Sequence, residues 1–252
     1  MSATILKQKF DVTSESTLYM AIADWLVEKA GMVKKYNFTA GTMPYIYLSW
    51  AGESIGLQVK QDYRSAYGTI SLTMAYSITA SGGSTYTGPS VKYVISADQT
   101  TGTMHYSCGV TLVKTEKLTL FFLTDGSDVS VAGGCVVLGK ASSVLTGERL
   151  FVTIPSIPSS ASSSNLFIVE GGTGTTQASF NTIICSASGT DPQGELLLSP
   201  AYALLSGVRM DPMLLPGMYA ESGSSYPDML TQFTAGTKTM LQVGSRIALD
   251  IT

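Results

Sequence analysis

The chain has 252 residues, 44% of them apolar and only 13% charged, with a net charge of −3 and a mean hydropathy of +0.23. Its lysines and arginines are scattered, so there is no basic footprint for nucleic acid or anionic lipid, and so low a charge on a chain long enough for a real core suits a surface that meets partners. The length fits one large all-β domain or two smaller ones.

The chain opens with a short arm. An amphipathic helix is then predicted over residues 15–30, because Leu18, Ile22, Trp25 and Leu26 recur at helical spacing opposite Asp24, Glu28 and Lys29. Ser14 is the expected N-cap and Gly31 the expected stop, and the helix should cover one face or end of a sheet. The N-terminus has no basic flank followed by an apolar block, and no apolar run approaches the ~18 residues of a membrane span. The expectation is a soluble product of the cytosol.

After Gly31 the pattern turns strand-like. Ile46, Leu48 and Trp50 alternate with Tyr45, Tyr47 and Ser49, and residues 55–59 follow across an Ala-Gly-Glu turn. Residues 69–78 alternate cleanly, Ile70, Leu72, Met74, Tyr76 and Ile78 against Thr69, Ser71, Thr73, Ala75 and Ser77. Residues 79–90 read as loop and 91–96 as a lead back into the sheet.

Residues 103–139 form the expected centre of the sheet, three strands joined by two polar turns. Met104, Tyr106, Cys108, Val110 and Leu112 share one face, with His105, Ser107, Gly109 and Thr111 on the other. Residues 118–123 carry large side chains on both faces, as a strand covered on both sides does. Asp125-Gly126 then favours a tight reversal, since both residues tolerate positive φ. The predicted local topology is an antiparallel meander.

A strand over 150–154 ends at Pro155, and residues 155–165, PSIPSSASSSN, have the composition of a linker or long exposed loop. The division expected is a helix plus β-sandwich core at 1–155, a linker at 156–165, and a β-rich region at 166–252 that either packs on the same core or folds separately. Strand candidates beyond the linker are 166–169 and 180–186, separated by a flexible GGTGTT at 171–176, and 195–198 and 238–251 complete the apolar segments. The fold class is mainly β, an antiparallel β-sandwich-like core with one N-terminal amphipathic α-helix.

No catalytic, cofactor-binding or metal-binding residue is assigned. Gly134 to Ala141, GCVVLGKA, falls one residue short of a phosphate loop: Ala141 stands where a hydroxyl would bind Mg²⁺, and the intervening residues suit a strand. Gly171-Gly172-Thr173-Gly174 lacks the helix and acidic partner of a dinucleotide site. His105 is the only histidine, which leaves no histidine cluster for a metal and one candidate for a Ser-His-Asp arrangement, without a GxSxG elbow. The expected role for it is a hydrogen-bonded surface or interface residue. Asp125, Asp128, Asp191, Asp211 and Asp228 sit in turns, in loops or beside prolines, and none stands out as half of a glycosidase pair. Cys108, Cys135 and Cys185 lie far apart in apolar runs and read as buried free thiols. Asn37-Phe38-Thr39 matches a glycosylation sequon, read as chance without a signal peptide.

The order of parts resembles a group of tailed-bacteriophage virion proteins from tails and baseplates. The matching pieces are the helix at 18–26, Tyr45-Ile46-Tyr47-Leu48, the apolar strand at 118–122, Leu215-Pro216-Gly217-Met218-Tyr219, and the hydrophobic segment 240–249. The chain departs from the group in its Ser/Gly-rich stretch before Leu166 and in having few aromatics near its C-terminus. The resemblance implies a structural virion component, in several symmetry-related copies, whose partners are other virion proteins and copies of itself, with no nucleic acid, membrane or small-molecule substrate. The alternative is a carbohydrate-binding or adhesin-like β-sandwich, with Tyr45, Tyr47, Tyr76, Tyr86 and Trp50 as a sugar-stacking surface. A hydrolase comes third, and needs two acids, or His105 and a serine, to converge in one pocket.

Overall fold

A computed structural model describes residues 2–14, 17–38, 44–64, 69–79, 85–100, 102–126, 129–143, 147–155, 166–170, 174–182, 197–205, 211–222, 227–244 and 246–252. The chain runs β1 (Thr4–Val12), α1 (Leu18–Ala30), β2 (Met32–Phe38), β3 (Tyr45–Trp50), β4 (Ile55–Arg64), β5 (Thr69–Thr79), β6 (Thr85–Ser96) and β7 (Asp98–Thr100). Next come β8 (Thr103–Lys114), β9 (Leu118–Thr124), β10 (Ser130–Ser143), β11 (Gly147–Thr153), β12 (Leu166–Glu170) and β13 (Gly174–Thr182). The last are β14 (Leu197–Leu205), β15 (Asp211–Ser222), β16 (Gln232–Ala235), β17 (Lys238–Gly244) and β18 (Ile247–Asp250). The fold is mainly β, antiparallel, with one helix near the N-terminus, as expected.

The meander is the middle layer. β8, β9 and β10 pair in antiparallel order, and all seven residues of β9 are buried. Phe121 and Leu123 join the apolar cluster on one face, while Leu118, Leu120 and Phe122 join a second cluster on the other. The strand is therefore covered on both sides, as its unbroken run of large residues predicted. At the β8–β9 turn the Thr115 N–H donates to the Leu118 carbonyl at 2.9 Å, and the Leu118 N–H donates to Thr115 Oγ1 at 3.0 Å. Gly126, with φ of 94°, starts the next reversal.

On the first face lies a five-stranded sheet of order β2-β3-β4-β5-β6. Ile46, Leu48, Trp50, Leu57, Val59, Met74, Val91 and Ile95 point from it onto Tyr106, Cys108, Val110 and Leu112. Trp50 Nε1 crosses the interface and donates to Thr119 Oγ1 at 3.0 Å, both groups being buried. Helix α1 caps the same core with Leu18, Ile22, Ala23 and Leu26 fully buried, and Trp25 meets Phe10 edge to face at 6.1 Å between centroids.

On the second face lie Met213, Leu215, Met218 and Ala220 from β15, Leu241 and Val243 from β17, and Ile247 and Leu249 from β18. The sheet reaches this face by curling. It runs β10-β11-β12-β13-β14-β15, and then Ser142 and Ser143 of β10 pair with Leu214 and Met213 of β15, closing a ring of six strands. Segment 156–165 lies outside the described residues, but Thr153 pairs with Leu166 across it, so the strands on its two sides share one ladder.

Several expectations need correction. The N-terminal arm is an edge strand, β1, paired along its whole length with β8, and its Lys7 and Lys9 suit an edge, where lysines deter foreign pairing. The helix starts at Leu18 after Thr17, and Ser14 contributes its carbonyl to the Thr17 N–H and hydroxyl instead of a side-chain cap. Gly31 ends it in the left-handed conformation, as predicted. The expected loop 79–90 contains the start of β6 from Thr85. Gly88 and Pro89 fit there because the register skips between the Ala75–Ser90 and Ser77–Thr87 pairs, on a strand at the sheet edge. Gly174 begins β13, so the expected flexible stretch 171–176 is strand over its second half. The rest of that stretch, and residues 183–186 of the expected strand 180–186, lie outside the described residues.

Candidate functional site

The features singled out in the sequence end up in structural positions. Gly139 and Lys140 lie in mid-strand in β10, not in a loop that opens a helix. A Cβ at Gly139 would press on Leu118 and Phe151, and Lys140 Nζ binds Glu53 at 2.9 Å. His105 Nδ1 lies 3.2 Å from Asp11 Oδ1 on the surface, which matches its expected role. Asp125 and Asp228 are exposed. Asp128, Asp191 and the side chain of Asp211 lie outside the described residues, as do Thr39 of the sequon and Gly171 to Thr173. Among the described residues no group of three or more His, Cys, Asp or Glu is placed to hold a metal ion.

Cys108 and Cys135 are free and buried. Burial, with Asp125 nearby, pushes the Cys108 thiol up to about 12, and burial alone pushes Cys135 up as well. Each donates to a carbonyl, Cys108 to Gly109 and Cys135 to Val243, both at 3.3 Å. They are packing residues with little thiolate character. Cys185 lies outside the described residues.

The proposed sugar-stacking surface loses two members. Tyr47 is 2% exposed and Trp50 9%, Trp50 with its indole nitrogen committed to Thr119, so neither presents a free ring face to a sugar. Tyr45 is half-buried, and the side chains of Tyr76 and Tyr86 lie outside the described residues.

What remains is surface and edge. β2 and β6 end the five-stranded sheet, and β1 and β16 end the long one. Val33 on β2 and Val94 on β6 are 43% and 53% exposed, so each edge of the smaller sheet offers an apolar side chain. Lys34, Lys35 and Lys92 share those strands, and Lys34 is held by Asp24 at 2.8 Å. Such edges accept a partner strand by main-chain hydrogen bonds, with the flanking charges selecting which one.

Sequence reasoning passed over a polar strip on β15, β17 and β18. Tyr219 and Gln242 both stand opposite Ala248, so they share a face, and Glu221 lies two residues along from Tyr219. Lys238 reaches the Asp250 carboxylate and sits 5.1 Å from the centre of the Tyr219 ring. Burial opposes the charge on Asp250, but Lys238 and Thr252 outweigh it and hold its carboxyl below the usual range. The alternation of Lys238, Met240 and Gln242 with Thr239, Leu241 and Val243 was the available signal.

No family model matches the chain, and neither a curated protein nor a solved structure does. No helix among the described residues is long and apolar enough to cross a membrane.

Proposed function

We propose that this chain is a structural component of a bacteriophage virion, in the tail or baseplate, present in several symmetry-related copies and bound to other virion proteins. The observation that carries the reading is the two edges of the five-stranded sheet, which no strand among the described residues pairs and each of which has an exposed valine. They suit assembly by strand addition, and the order of parts along the chain supports the same role. The protein then works by holding neighbours in register through repeated main-chain contacts, with heterologous contacts closing a ring.

Quantitative mass spectrometry of particles purified from cells producing the protein tests this. The expected result is a fixed small multiple of the other tail proteins. Intact particles without it would overturn the proposal.

A further inference from the structure

Strand β15 carries a carboxyl group that the fold seals and leaves unpartnered. Glu221 is 3% exposed and neither of its oxygens has a hydrogen-bond partner. Gln242 is 1% exposed, with its Oε1 also unpartnered and its Nε2 donating to the Gly244 carbonyl at 2.7 Å. A buried carboxylate without partners is strongly disfavoured, whereas the neutral acid is tolerated. We infer that Glu221 is a proton-operated latch: with its proton on, it seals the seam between β15 and the β17–β18 hairpin, and on ionising it draws in water and loosens that hairpin.

Among the described residues no side chain donates a hydrogen bond to the carboxyl. On β14 the residue opposite is Leu198. In the β17–β18 turn, exposed Arg246 gives its main-chain carbonyl to the Glu221 N–H at 3.0 Å, and no described cation donates a hydrogen bond to the carboxyl. On β17 and β18, Lys238 and Asp250 are committed to each other, with Tyr219 of β15 beside them. Burial raises the Glu221 carboxyl from 4.5 to about 7; Gln242 lies near enough to lower it in part without meeting hydrogen-bond geometry.

Because the folded form binds this proton more tightly than the unfolded one, the stabilisation is complete below 4.5 and is lost as pH rises through about 7. The gap between those values corresponds to a factor of up to about 300 in the equilibrium constant.

The test uses the full chain and does not depend on the virion reading. Side-chain carbon NMR from about pH 4 to about pH 9 should show one glutamate titrating near 7, absent in Glu221→Gln. Hydrogen exchange of β17 and β18, corrected for intrinsic rates, should accelerate by up to about 300-fold across that window in the wild type and stay level in Glu221→Gln. A Glu221 that titrates near 4.5, or equal acceleration in both proteins, overturns the latch. If Glu221→Gln fails to fold, the wild-type titration decides alone.

Discussion

Phe121 and Phe122 are neighbours in sequence and sit in different cores, which makes them a direct test of the three-layer arrangement. Both are 0% exposed; Phe121 packs toward the five-stranded sheet and helix, Phe122 toward β15, β17 and β18. Truncating a buried Phe to Ala costs about 3–5 kcal/mol, through lost transfer energy and the cavity left behind, whereas an exposed position costs within about 0.5 kcal/mol. Phe121→Ala and Phe122→Ala should therefore each lower stability by about 3–5 kcal/mol, a large part of the total for a domain. The assay is equilibrium denaturation followed by tryptophan fluorescence and by far-ultraviolet circular dichroism. Both tryptophans, Trp25 and Trp50, pack in the first core, so Phe122→Ala moves the fluorescence midpoint only if the two cores unfold together. A loss below about 0.5 kcal/mol for Phe122→Ala would refute burial on its face. Separate fluorescence and dichroism midpoints would refute cooperation between the layers.

The Trp50–Thr119 hydrogen bond should appear as a coupling of about 1 kcal/mol in a double-mutant cycle of Trp50→Phe and Thr119→Val; additive losses would show that the bond contributes nothing net. In a Cys185→Ser background, Cys108 and Cys135 should react with a thiol reagent only at the rate of unfolding, because both are 0% exposed. Fast labelling of the native protein would contradict their burial.

Much of the fold was legible because the relevant signals are local. The unbroken apolar run of β9 reports its own burial on both faces without reference to what covers it. The alternation of β8 holds for Tyr106, Cys108, Val110 and Leu112 but not for exposed Met104, nor for Gly109 and Thr111, which are buried because β8 too is covered on both faces along its second half. Gly31 is similarly self-contained, since a left-handed residue after an apolar helix ends it wherever the helix packs. Strands that break the local rules were less legible. β6 holds Gly88-Pro89 at a register skip, and β15 holds Pro216-Gly217 where its pairing jumps from Pro200–Tyr219 to Tyr202–Leu214. Pairing with neighbouring strands overrode their turn-like composition.

The candidate site divides the same way. That His105 is a surface residue, and that Gly134 to Ala141 is a strand, followed from residue types and spacing. The burial of Trp50 beside Ile46 and Leu48 follows from their alternation, but the burial of Tyr47 on the opposite face, the sealing of Glu221 against Gln242, and the place of β2 and β6 at the sheet edges do not. By itself the sequence determined a mainly β chain with one helix and an antiparallel meander, because alternation and helical spacing act over a few residues. Only the tertiary structure decided which faces meet, where the ring of β10 to β15 closes and which polar groups lose their water. Those outcomes depend on contacts between residues far apart in the chain, and no short window of sequence contains both partners.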